Sequence, residues 1–392
     1  MPKDFIIPDG AVVIRFGKYY LDSAPEGIEI PSDITVIDIP DSVTVIGDFA
    51  FEGCSSLLKI NIPNSVTSIC DWAFDNCSSL LKINIPNSVK EIGCETFYNC
   101  SSLTSVNIPD SVTEIGWGTF AECSSLRKID IPGSVTVIDG MAFCGCSSLK
   151  EISVPDSVTR IGNSAFNGCS SLTKINIPNS VKAIGDRTFC GCSSLTQINI
   201  PNSVTEIDAY AFMWCSSLRR INIPASVETI GKDAFAGCSS LIGINVDPRN
   251  QVFHDEDGIL FEKNILRTFP RGKDTHTYTI PDSVTTIGDG AFRNCSSLTK
   301  IEIPGSVTEI GNEVFYGCSS LKEIEIPDSV KKIGDEAFYA CSSLTEIKIP
   351  KSVTEIKWGV FDECSKLKRV YAPKYLELEH TCLSSEVEII RY

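Results

Sequence analysis

Apolar and polar positions along this chain alternate in a short figure that keeps returning. In residues 172–177, Leu172, Ile175 and Ile177 are apolar, and Lys174 and Asn176 stand between and before the isoleucines. That spacing predicts a short strand with one face buried. Pro178 follows and ends it, because proline lacks the N–H that a parallel ladder needs. Val181 and Ile184 point inward again, and Gly185 is read as permitting a tight turn. Ala165 and Phe166 lie just before Cys169 and are assigned to a short helical or 3-10 segment. The unit reads C-S-S-L-x-x-I-x-I-P-x-S-V-x-x-I-G-x-x-A-F-x-x.

The sequence Cys-Ser-Ser-Leu occurs twelve times and Cys-Ser-Lys-Leu once. Its cysteines are Cys54, Cys77, Cys100, Cys123, Cys146, Cys169, Cys192, Cys215 and Cys238, then Cys295, Cys318, Cys341 and Cys364. Every step is 23 residues except the one from 238 to 295, which is 57, or two periods plus 11. A fixed period between about 20 and 50 residues signals a solenoid, each repeat forming one coil. Equivalent side chains then stack in columns about 4.8 Å apart. A cysteine column of this kind is a row of small buried thiols, each able to donate weakly to a carbonyl of the neighbouring coil. Disulfides between rungs are disfavoured, since stacked side chains point the same way. Phe51, Phe74 and their equivalents through Phe361 form a second column, read as core rather than as a ligand platform.

This pattern resembles the BspA-like, or Treponema pallidum type, leucine-rich repeats over almost all of residues 34–366. The resemblance implies an α/β repeat solenoid, curved and right-handed. Its parallel sheet would be concave, with short β, 3-10 or helical turns on the convex side. It also implies non-enzymatic work, adhesion to host or matrix proteins, and display at the cell surface or secretion; it transfers no catalytic residue. The organisation expected is an N-terminal cap at 1–33, a repeat array at 34–241, a variant repeat at 242–282, a second array at 283–366 and a C-terminal cap at 367–392.

The variant segment contains "GILFEKNILRTFP", which predicts strands near 259–262 and 265–269 joined by a turn at Lys263 and Asn264. The resulting hairpin is expected to project from the solenoid. Asp255, Glu256 and Asp257 do not match the calcium-loop spacing, so a turn at Gly258 with solvated acids is the simpler reading.

Composition narrows the partners. With 50 acidic against 34 basic residues the net charge is −16, which disfavours nucleic acid and anionic membrane surfaces. No apolar run approaches the roughly 18 residues of a membrane span, so no membrane insertion is expected. The N-terminus shows no basic segment followed by a long apolar one, so no signal peptide is visible. The chain has no C-x-x-C, and His254, His276 and His380 lie away from the cysteine columns, so no metal or cofactor is expected. Eighteen cysteines suit a reducing compartment, which keeps a cytoplasmic scaffold or immune-type receptor as the alternative to a surface module.

A protein ligand is the expected partner, and the variable strand positions are where it would be read. Lys59, Asn61, Lys82, Asn84, Asn107, Lys128, Lys174, Asn176, Asn199, Arg220 and Asn222 make a lysine and asparagine face. The asparagines could instead satisfy one another. A rival patch on the turn side contains Tyr210, Met213 and Trp214; like Trp72, Trp117 and Trp358, these could simply cover neighbouring turns.

Overall fold

The computed structural model describes residues 4–21, 24–381 and 383–392. The chain divides into two units, Met1–Ser216 with Thr229–Ala234, and Ser217–Glu228 with Phe235–Tyr392. Each is a parallel-strand β-solenoid, and no helix occurs among the described residues.

The coil follows from the sequence period. Lys59–Asn61 lies parallel to Val36–Asp38 with Val36 opposite Lys59 and Ile37 opposite Ile60. In the second unit Lys300–Glu302 is flanked by Thr277–Thr279 and Glu323–Glu325 in the same 23-residue register. A ladder step equal to the repeat puts each isoleucine on its equivalent, so one buried column fixes the register of all coils. The second strand of the coil stacks likewise, Val45 opposite Ser68 and Ile46 opposite Ile69. Between the strands, the proline carbonyl of P-x-S-V accepts the valine N–H, as Pro63 does from Val66 at 3.2 Å. The motif serine donates to the valine carbonyl one coil back, as Ser65 does to Val43 at 2.7 Å and Ser329 to Val307 at 2.6 Å.

The helical segment expected at Ala165 and Phe166 is absent, and turns stand in its place. Ser164, Phe166 and Gly168 donate their N–H groups to Asp186, Thr188 and Cys190 of the next coil, at 2.8, 3.0 and 2.7 Å. Ala165, Asn167 and Cys169 instead close three-residue turns onto Gly162, Ser164 and Phe166. A helix would keep all these donors within the coil, whereas stacking directs every second one to the neighbour. Left-handed residues, Ser164 at φ 57° and Gly168 at φ 74°, sustain the alternation. Gly185 does not have a left-handed φ; its role is close approach, since a Cβ there would lie 2.2 Å from Asn163 Oδ1.

The core columns are as dry as the pattern implies. Phe51, Phe74 and Phe97 are fully buried, and from Phe51 to Phe212 adjacent rings stack with centroids 5.2 to 5.7 Å apart. Column thiols reach the phenylalanine carbonyl 26 residues earlier, as Cys77 does to Phe51 and Cys100 to Phe74, both at 3.2 Å. The column cysteines from Cys77 to Cys192 and from Cys318 to Cys364 are thiols, not disulfides. Burial pushes the Cys100 thiol well above its ordinary pKa, so it stays protonated and remains a donor. Cys382 lies outside the described residues.

The variant segment holds strands at Ile259–Glu262 and Ile265–Thr268, plus a third at Phe253–Glu256, antiparallel to one another in chain order. The hairpin does not project. Ile259, Leu260, Phe261 and Leu266 are buried, and Ile265–Thr268 pairs in parallel with Thr286–Ile287, entering the second-strand row. Its acids are occupied: Asp255 accepts the Val246 and Gly258 N–H groups, and Asp257 meets Lys273 at 2.7 Å. At the ends, Asp4–Ile6 and Glu388–Arg391 extend the first-strand row beside Val36–Asp38 and Arg369–Ala372.

Candidate functional site

Strand alternation decides which side chains meet solvent. Ile60 and Ile62 turn into the core while Lys59 and Asn61 turn out, and the same holds at Lys82 and Asn84 and at Lys174 and Asn176. The first unit thus carries Lys59, Asn61, Lys82, Asn84, Asn107, Lys128, Lys174, Asn176 and Asn199, all exposed along its strand columns. Arg220 and Asn222 are exposed too, but belong to the second unit. The lysine row is punctuated, since Ser105 is paired beside Lys82 and Glu151 lies between Lys128 and Lys174. Lys128 makes an exposed ion pair with Asp130 at 2.9 Å, a contact of little net strength.

The asparagines do not behave alike. Asn107 Oδ1 accepts the Ile85 N–H at 2.9 Å while its Nδ2 donates to the Ile85 carbonyl at 2.7 Å. Asn176 does the same to Val154 at 3.0 and 2.7 Å. These two amides act as extra rungs of the ladder. Asn245 donates to Asn222 at 2.9 Å, an amide-to-amide bond. Asn61, Asn84 and Asn199 make no side-chain hydrogen bond among the described residues, so their amides are the ones open to a partner.

On the turn side, Trp214 is 58% exposed, Tyr210 and Met213 are half-buried, and the Arg187 guanidinium sits 4.5 Å from the Tyr210 ring centroid. Tyr210 and Trp214 have φ of 58° and 60°, a conformation that is costly for bulky residues. One aromatic group escaped the sequence reading. Phe16, Phe49 and Trp72 stack in a row at 5.9 and 4.9 Å, all three left-handed. The 23-residue step from Phe49 to Trp72 signals part of it, but Phe16 lies outside the repeat. On the second unit's strand face, Glu302, Glu323, Glu325, Lys348, Tyr371 and Tyr392 help line a cavity of about 1090 Å³.

Among the described residues no cluster of three metal-ligating side chains occurs, and no helix is long and apolar enough to cross a membrane.

The stacked coils, with their isoleucine, phenylalanine and thiol columns, define a leucine-rich repeat solenoid. The family description BspA type leucine rich repeat region matches residues 31–150, 138–256 and 267–389, so the chain belongs to that family. It is similar to a solved leucine rich cell surface protein of Faecalibacterium prausnitzii: 29% identity, 92% of this chain and 88% of that one covered, TM-score 0.63. A leucine-rich repeat protein of Bacteroides ovatus is similar at 26% identity, covering 100% of this chain and 92% of that one, TM-score 0.50. No curated protein matches by sequence.

Proposed function

We propose that this chain is a non-enzymatic protein-binding module of a cell surface, an adhesin for host or matrix proteins. It engages an extended acidic partner through the strand face of its first unit. One observation carries the reading: Lys59, Lys82, Lys128 and Lys174 stand exposed in one strand column while the columns beneath them are committed to the core. Many modest charged contacts along such a row favour fast, salt-sensitive association. The likeness to the Faecalibacterium prausnitzii cell surface protein supports the location. The thiol column is compatible with it, because burial and a raised pKa protect a thiol from oxidants irrespective of compartment.

The test has two arms. Surface labelling of intact cells should tag the protein; labelling only after lysis would favour the intracellular scaffold. Binding to a panel of matrix proteins should weaken in a variant with Lys59, Lys82, Lys128 and Lys174 all changed to Glu, with a flatter salt dependence. Normal binding by that variant, together with loss on Trp214→Ala, would move the site to the turn patch, where left-handed aromatics are the observation in its favour.

A further inference from the structure

We propose that the strand face of the second unit is a separate docking site for an extended protein segment carrying arginines at alternate positions. The proposal does not depend on the function assigned to the first unit, and the charge it selects is opposite.

Three observations converge on one concavity. The first is shape: a cavity of about 1090 Å³ lies over the successive strands Lys300–Glu302, Glu323–Glu325 and Glu346–Lys348, with Tyr371 and Tyr392 at one side. The second is which charges are already engaged. Lys300 holds Glu302 at 2.8 Å, and Arg369 holds Glu346 at 2.8 Å. Lys348 Nζ lies 5.7 Å from the Tyr392 ring centroid. Glu323 and Glu325, exposed on the central strand, have no ion pair or side-chain hydrogen bond among the described residues. The register separates the two: Glu323 stands opposite Lys300, whose ammonium is held by Glu302, while Glu325 stands directly opposite Glu302 itself. Like charges facing across a ladder repel, and a cation between them relieves that repulsion. The third is the aromatic side. Tyr392 is fixed by its hydroxyl, which donates to the Ile349 carbonyl at 2.6 Å, and Tyr371 is half-buried next to it.

These features select a guanidinium rather than an ammonium. Arginine pairs with a carboxylate through two parallel N–H groups and stacks on tyrosine, and lysine does neither as well. They also select spacing. Glu323 and Glu325 sit two residues apart on one strand, so their carboxylates project on one side about 7 Å apart. Side chains at alternate positions of an extended peptide have the same separation. The fitting occupant is therefore a strand-like segment laid along Glu323–Glu325 with two arginines on its inner side.

The experiment uses the intact chain and a fluorescein-labelled peptide alternating serine with arginine, followed by anisotropy at about 50 and about 300 mM salt. The chain carries −16 overall, so attraction without a site must be separated from docking. Glu323→Gln with Glu325→Gln is compared with Glu206→Gln with Glu309→Gln, which removes two exposed acids away from the cavity. The cavity variant should bind about tenfold more weakly, the control within about twofold, and a serine–lysine peptide less well than the arginine one. Thermal melting checks that both variants remain folded. Equal weakening in both variants, no weakening in the cavity variant, or equal binding of the two peptides would overturn the proposal. Reversing the four lysines of the first unit should leave this binding intact, so neither reading falls with the other.

Discussion

Around Phe166 the column is regular. Its ring lies between Phe143 and Phe189 with centroids 5.5 and 5.7 Å away, within 6° and 3° of parallel, and Cys169 donates to the Phe143 carbonyl at 3.1 Å. Around Phe269, in the variant segment, the same place is filled differently. That ring meets Phe292 at 5.2 Å but tilts by 31°, Tyr278 packs against both, and Cys295 reaches the Phe269 carbonyl only at 3.9 Å. Phe269 stands 23 residues before Phe292, so the aromatic column keeps its period where the Cys-Ser-Ser-Leu signature is missing. The two regions rank the forces in a coil. A large ring at the right step is retained even when stacking geometry suffers, while the thiol bond can lengthen almost to nothing.

That ranking gives its largest prediction at the rings. Phe166→Ala should destabilise by about 3–5 kcal/mol in chemical denaturation, because rigid neighbours on both sides leave the cavity open. Phe269→Ala should destabilise less, about 2–4 kcal/mol, since Tyr278 can relax into the space. A larger loss at Phe269 than at Phe166 would reverse the ranking.

A regular coil also contains a local violation. Asp75 is 9% exposed, and burial holds its carboxyl up at about 6, against the weaker opposing effect of its hydrogen bond from Asn76. Because the folded state binds this proton more tightly, its contribution to stability is greatest below about pH 4 and falls as pH rises through about 6. Asp75→Asn should therefore gain about 1–2 kcal/mol at neutral pH and little at pH 4, read from melts at the two pH values. A gain independent of pH would mean that charge is not the cause.

Smaller effects separate the thiols and the amides. Cys169→Ala should be more destabilising than Cys295→Ala by about 0.5–1 kcal/mol, the difference between a formed and a stretched hydrogen bond. Asn176→Ala, which loses two bonds to Val154, should destabilise by about 0.5–1 kcal/mol, whereas Asn199→Ala should be near neutral. Equal values for the two asparagines would show that the amide rungs are not formed in solution.

Much of the fold is legible because one period imposes both register and burial. Thirteen cysteines, 23 residues apart at every step but one, state which residues stack, and L-x-x-I-x-I states which face inward. Reasoning within one coil fails where the neighbour decides. Ala165 and Phe166 looked helical because local propensity takes no account of acceptors such as Thr188, one coil away. Gly185 looked like a turn glycine, although what excludes a side chain is the adjacent Asn163. The hairpin at 259–268 was visible in its turn residues, but Leu266 and Phe261 bury it, and only the parallel partner Thr286–Ile287 shows where it belongs. Of the candidate surface, the exposed lysines follow from alternation. The cavity could not be read so, since it joins Glu323 with Tyr392 from a segment that lacks the motif.

Near-identical coils make folding ambiguous. The strand Lys59–Asn61 differs little from Lys82–Ile83 or Lys174–Ile175 in what it offers a partner, so a growing stack could skip a coil and still fill every column. The penalty for looping out one repeat rises only slowly with length, about 0.6 kcal/mol per doubling. The segment with Phe253–Glu256, Ile259–Glu262 and Ile265–Thr268 differs from every ordinary repeat, and its counterpart among the described residues is the N-terminal set Ala11–Arg15, Lys18–Leu21 and Ala24–Glu29 beside Val45–Ile46; it forms from neighbours in sequence and accepts one parallel partner, Thr286–Ile287. It acts as an address in an otherwise self-similar text, fixing which coil is which for the strands that follow. Replacing it with two ordinary repeats should preserve stability per coil yet lower the yield of correctly refolded monomer, as misaligned stacks accumulate.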